Sequence, residues 1–173
     1  MHFLTSLENT AFSTWVRESG SLWAYPGIIF MHTIGLAFLV GASAAIDLRI
    51  LGVARRLSLA PMEQFFPIMW LGFWINAVSG SILFAADATT KLANPAFAVK
   101  MGCVALSVIN IMLIKRYVFH DTTLRPNEVS MTGKILAGTS LALWTVAITA
   151  GRLMAYLGQD SGAPEFFNRI GGH

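Results

Sequence analysis

Three residues of this chain, His32, Lys100 and Arg152, could do chemistry, because each lies inside a stretch otherwise poor in charge. His32 stands near the middle of LWAYPGIIFMHTIGLAFLVGASAAIDL, Leu22 to Leu48, and no Asp, Glu, Lys or Arg occurs between Glu18 and Asp47. A titratable imidazole inside an apolar run is costly without a partner, so it marks a ligand, a hydrogen-bond network or a proton path. One reading makes His32 an axial ligand to the iron of haem b. A second makes it a quinone contact or proton relay. A third leaves it a neutral imidazole donating to a carbonyl, or to Asn76, Ser79 or Thr145 of a neighbouring helix. At ~1.5 Å per residue, His32 is expected about ten residues deep, near the midplane. Lys100 and Arg152 are each expected about five residues, roughly 8 Å, below the same surface. Two cations one layer above an imidazole suit an anionic group between them: a haem propionate, a lipid head group or a substrate carboxylate. The alternative is that both snorkel to the interface, with Asp87 as a partner. Gly35, one turn along from His32, leaves room for a macrocycle edge. Asn76 and Tyr156 complete the expected cofactor contacts, with Trp70, Trp74 and Trp144 as walls.

A six-coordinate haem needs a second strong ligand at matching depth. The other histidines are His2, His120 and His173, and His120 lies beyond the opposite end of the third apolar run. Met31 points off the His32 face, and Met101 and Met154 lie nearer the outer surface, so a haem would be five-coordinate, weakly ligated, or ligated from a partner chain. Other chemistries fare worse. Asp47 is about 22 Å from His32 along one helix, too far for a Ser–His–Asp set. No Gly-rich loop follows a strand, no Cys/His cluster has metal spacing, and the eight methionines form no ladder for copper.

The elements that must position these residues are read from the charge-free runs. The chain is 55% hydrophobic and 12% charged, against roughly 25% charged in soluble domains, so it is read as an integral membrane protein. Four spans are expected, at about 22–48, 64–86, 95–119 and 131–157, each long enough to cross a bilayer. They form one all-α domain, a four-helix bundle over 1–173. Residues 3–18, with Leu4, Leu7, Phe12, Trp15 and Val16 at near-helical spacing, read as a short interfacial amphipathic helix. Arg49 to Glu63 reads as a polar loop, Asp87 to Asn94 as a short turn, and Pro95 suits a first helical turn. HDTTLRPNEVS reads as a hydrophilic connection and GQDSGAPEFFNRIGGH as an irregular tail. The N-terminus MHFLTSLENT lacks a basic region followed by an apolar core, so insertion is expected to be driven by the first span. Cys103 is the only cysteine and tells nothing of the redox compartment.

Helical spacing then picks one small or polar stripe on each span to face inward. The first is His32, Gly35, Leu36 and Leu39, continuing into Gly41 to Ala45. The second is Gly72, Asn76, Ser79, Gly80 and Asp87, and the third Lys100, Cys103, Ser107 and Asn110. The fourth is Gly138, Ala142, Thr145, Thr149, Arg152 and Tyr156. The formal charge of +3 is no nucleic-acid footprint, because the basic residues sit at expected loops. Arg49, Arg55, Arg56, Lys115, Arg116, Arg125 and Lys134 lie at or near the first and third loops. Arg17, Lys91, Lys100, Arg152 and Arg169 lie toward the other side, two of them inside spans. The positive-inside rule therefore puts both termini on the periplasmic side of a bacterial inner membrane.

IIFMHTIGLAFLVGASAAIDLRILG, PAFAVKMG and AGRLMAYL resemble an uncharacterised bacterial family of four-helix membrane proteins. More distantly they resemble copper-resistance D and cytochrome b561-type bundles. The marks are His32, Gly35, Val40 and Gly41, Asp47 to Arg49, Ala85 to Ala88, Lys100 after Asn94 to Phe97, and Gly151 to Tyr156. The resemblance spans roughly Ser21 to Leu157 and implies a four-helix bundle with His32, Lys100 and Arg152 singled out. It carries no assigned reaction; relatives often have a histidine near the end of the third span, where this chain has Lys115. Haem and electron transfer enter only as fold-level analogy. The expected function is a small inner-membrane redox module, b-type cytochrome-like or quinone-interacting. Its partners are the lipid bilayer and other membrane subunits or a second copy. The rivals are a cofactor-free accessory subunit of a larger membrane complex and a carrier for a small anion or metal, the latter opposed by the uninterrupted second span.

Overall fold

The computed structural model describes residues 8–53, 56–119 and 129–156, which contain no strand. The sequence HDTTLRPNEVS falls almost wholly outside them, as do Leu4, Leu7, Arg55, the tail from 157 onward and the side chain of Tyr156.

The first helix whose bounds lie within the described residues is α1, Ala11–Glu18, where Thr10 interrupts the expected 3–18 as a cap: its hydroxyl accepts from the Ser13 N–H at 3.3 Å. Phe12 and Trp15 stack on its outer side while Ser13 and Val16 are buried. α2, Tyr25–Leu51, starts with Pro26 in its first turn, where a missing N–H costs nothing. It ends at Gly52, whose φ of 93° suits glycine, with Val53 N–H bonded to Leu48 O at 3.0 Å. The end expected at Leu48 thus falls one turn later, and Asp47 and Arg49 lie inside the helix, both buried.

A 3-10 turn, Ala60–Gln64, leads into α3, Phe65–Ala86, within a residue of expectation. The expected turn at Asp87 to Asn94 contains a short helix, α4, Ala88–Ala93. Asn94 caps α5, Pro95–Ile114, accepting from the Ala96 N–H at 3.0 Å, and a π-helical turn carries the chain to Phe119. α6 is Met131–Tyr156. With their flanking turns, α2, α3, α5 and α6 are four helices long and apolar enough to cross a membrane.

α1 is bound to the end of α3. Ser13 Oγ donates to Ala85 O at 3.3 Å and Arg17 Nη1 to Ala86 O at 3.0 Å, satisfying carbonyls that a helix C-terminus leaves open. The Glu8 carboxylate accepts from Thr89 N–H at 2.7 Å and from its hydroxyl at 2.8 Å. These bonds, the backbone one first, hold the Glu8 carboxyl below its ordinary range. A depressed carboxyl stabilises the fold above its unfolded pKa, and that contribution is lost as pH falls through the folded value. Glu8→Gln is therefore expected to cost about 1 kcal/mol at neutral pH. Thermal unfolding in detergent at neutral and acidic pH checks this: the wild-type advantage should shrink on acidification, while the variant has none to lose.

Within the bundle α2 packs on α3 and α6, and α5 on α6, whereas α3 and α5 scarcely meet. Their gap is bridged by Phe84 stacked on Phe97 toward the end where α2 begins. Phe66 meets Phe119 edge-on at the other end. α2 and α3 touch backbone to backbone at Gly35 and Gly72: a Cβ on Gly72 would sit 2.7 Å from both Gly35 O and Leu39 N.

The inward stripes of α2 and α3 largely match expectation, with Gly35, Leu39, Gly72 and Ser79 buried. That of α6 does not. Gly138, Ala142, Thr145, Thr149 and Arg152 are exposed, and the buried face carries Ala137, Ser140, Trp144, Ala147 and Ala150. Thr145 and Thr149 need no partner helix, because each hydroxyl donates to the carbonyl four residues back at 2.8 Å. Trp144, 2% exposed, sets the rotation instead: its indole N–H donates to Ser43 Oγ of α2 at 3.2 Å.

Candidate functional site

His32 faces α3, where a missing side chain makes room for it: a Cβ on Gly80 would come within 3.1 Å of His32 Cε1. The ring is fixed at both nitrogens. Ser79 Oγ lies 3.1 Å from Nδ1, and Asn76 Nδ2 lies 3.4 Å from Nε2 and donates to His32 O at 2.9 Å. Ser79 has one hydroxyl proton, and Ile75 O, 2.6 Å away, takes it. Nδ1 must then carry the hydrogen and donate to Ser79, which leaves a lone pair on Nε2. Of the partners expected from sequence, Asn76 and Ser79 are present, and Thr145 bonds its own helix.

Beside the imidazole lies a partly open cavity of about 470 Å³ in the gap between α3 and α5. His32, Asn76 and Lys100 form its polar corner, and Phe73, Phe84, Phe97 and Trp144 give it aromatic walls. The Lys100 side chain reaches across to α6, its Cδ, Cε and Nζ within 3.6–3.8 Å of a Cβ position on Gly151. No carboxylate pairs with it among the described residues. Lys91 lies near the same mouth, its ammonium donating to Leu83 O. Burial holds Lys91 below the usual lysine range; Asp87 opposes that shift, and the like charge of Lys100 adds to it.

The other expected site residues are placed differently. Arg152 stands on the exposed face of α6 and does not line the cavity. Gly35 borders no open space: a Cβ there would meet Asn76 N at 2.7 Å and Gly72 O at 2.9 Å. Tyr156 ends α6, and its side chain lies outside the described residues. Among the expected walls Trp144 lines this cavity, whereas Trp74 borders an apolar groove on another side of α3 and Trp70 a narrow crevice. Because α2 begins at Tyr25, His32 is seven residues into the helix, about 10 Å.

A second polar group lies in the core, where sequence alone did not place one. Asp47 is fully buried, with Oδ2 3.3 Å from Ser43 Oγ, and Ser43 Oγ is 3.3 Å from Ser140 Oγ. The signal is present in the apolar residues Ile46, Leu48, Ile50 and Leu51, which continue the α2 pattern past Asp47 to a glycine cap.

Fold and site define a class: a bundle of four membrane-length helices around a lateral, aromatic, histidine- and lysine-cornered cavity. Comparison with protein families, with curated proteins and with solved structures gives no match for the chain.

Proposed function

We propose that this protein is a quinone-interacting subunit of a bacterial inner-membrane redox system, with the cavity between α3 and α5 as the head-group site. The observation that carries the reading is the pairing, in one aromatic cavity, of an acceptor nitrogen on His32 with an ammonium that has no carboxylate partner among the described residues. Lys100 donates to a carbonyl oxygen of the quinone. His32 Nε2 accepts from the hydroxyl of the quinol in place of the long 3.4 Å contact from the Asn76 amide, and Ser79 holds the tautomer that makes it an acceptor. Aromatic walls suit a flat ring, and a lateral opening between two membrane helices suits a ligand that arrives through lipid. Arg49, Arg56, Lys115, Arg116 and Lys134 belong to the far end, and the positive-inside rule supports a cytoplasmic side there, with the cavity toward the periplasm. Electrons would pass to or from a partner membrane subunit.

A short-tail benzoquinone titrated against the purified protein in detergent, followed by tryptophan fluorescence quenching, tests this. Wild type should bind saturably. His32→Leu and Lys100→Met should each weaken binding about tenfold, since leaving a polar ligand atom unpaired costs on the order of 1.4 kcal/mol or more. Equal binding by all three proteins would refute the site.

A haem b is the second reading. The fixed Nδ1–H, with the lone pair on Nε2, is the arrangement of a metal-ligating histidine, and Met101 also lines the cavity. Against it, the Asn76 amide already faces Nε2, and the expected room beside Gly35 is filled by α3. A stoichiometric haem in a pyridine haemochrome assay, with a Soret band lost in His32→Ala, would put haem in place of quinone. Neither ligand in intact protein would favour the accessory-subunit reading.

A further inference from the structure

At the other end of the core, Asp47 plays no part in the cavity chemistry, and its surroundings are those of a group that binds a proton. Its exposure is 0%, and one carboxyl oxygen, Oδ1, has no hydrogen-bond partner among the described residues. Its other oxygen, Oδ2, accepts from the Ser43 hydroxyl at 3.3 Å. Ser43 is in turn held by the Trp144 indole N–H and lies 3.3 Å from Ser140 Oγ. No cation among the described residues is paired with the carboxyl. On its own helix Arg49 donates to Leu57 O. The charged groups on the elements around it are Arg56 and Glu63 before α3, Lys115 and Arg116 on the π-helical turn, and Lys134 on α6. Arg56, Glu63 and Lys134 are exposed, and Lys115 lies over the Phe66 ring at 5.4 Å.

A bare carboxylate in a low-dielectric core, with one oxygen unpartnered and no counter-ion, is strongly disfavoured. Binding a proton removes the charge, and the Ser43 hydroxyl, both donor and acceptor, can bond either form. We propose that Asp47 is a proton-binding site of the bundle, a carboxylic acid at neutral pH held in place by Ser43. The step is a proton taken from water onto one carboxyl oxygen, or returned to it, with no electron transferred. This inference does not rest on quinone binding.

Infrared spectroscopy of the protein in lipid vesicles, titrated between about pH 5 and pH 9, tests it. Wild type should show the C=O stretch of a protonated carboxylic acid at neutral pH, shifted to lower frequency in heavy water. The band should be missing in Asp47→Asn, which replaces the acid by a neutral group of the same shape. Ser140→Ala leaves the acid in place and should move the band without abolishing it, so the assignment does not hang on one variant folding. Absence of the band from wild type across this range, or its persistence unchanged in Asp47→Asn, would overturn the proposal. So would a stabilisation by sodium chloride over choline chloride that Asp47→Asn removes, since Asp47 would then hold a metal cation.

Discussion

Trp144→Ala is expected to destabilise the protein by about 3–5 kcal/mol, the range for removing a large aromatic from a packed interior. Trp144 is the largest fully buried side chain among the described residues, and three separate features depend on it. Its ring fills the space where α6 meets α2, its indole N–H holds Ser43, and its edge walls the cavity beside His32. Trp144→Phe separates these roles. Most of the volume remains, but Ser43 loses its donor, so a cost of about 1–2 kcal/mol is expected. Unfolding midpoints in a fixed detergent should fall in the order wild type, Trp144→Phe, Trp144→Ala. Equal midpoints for all three would mean that α6 is not anchored through this residue.

Gly72→Val should have the next largest effect, about 3 kcal/mol or more, because the clash is with backbone. The first added carbon would sit 2.7 Å from Gly35 O and Leu39 N, atoms that cannot turn aside as a side-chain tip can. The helices must separate, which also draws His32 away from Asn76 and Ser79. Gly102 and Gly138 are internal controls, since a Cβ at either meets nothing within 4 Å. Gly102→Ala and Gly138→Ala should stay within about 0.5 kcal/mol of wild type. Thermal unfolding of the three variants side by side checks the prediction, and a mild Gly72→Val would show that α2 and α3 do not pack this closely.

How much of the molecule is legible in its sequence depends on which physical signal each feature leaves there. The long helices are legible because a bilayer is the environment that best tolerates twenty or more residues without a charge, and Pro95 marks a boundary. The end of α2 is not, because Asp47 and Arg49 have the character of loop residues. Only the fold shows that Arg49 reaches Leu57 O and that Ser43 receives Asp47. The face of α6 is obscured for a related reason. A threonine in a span suggests a partner across the bundle, yet Thr145 and Thr149 bond their own helix, so polarity does not mark the inner side. The better marker is Trp144 with Ala137, Ser140, Ala147 and Ala150 at helical spacing. At the site, His32, Asn76 and Lys100 are legible as polar residues too costly to leave in an apolar run without a partner. The gap between α3 and α5 is not, because a cavity arises from helices that fail to meet, and no residue announces it.

The measurement that tests the central claim most directly is photolabelling with a short-tail benzoquinone carrying a photoreactive group, followed by peptide mapping. Adducts are expected on the stretches around His32, Phe73 to Phe84 and Phe97 to Val104, suppressed by excess unlabelled quinone and diminished in Lys100→Met. Labelling confined to the outer face of α6, or labelling that unlabelled quinone does not suppress, would contradict quinone binding in the cavity.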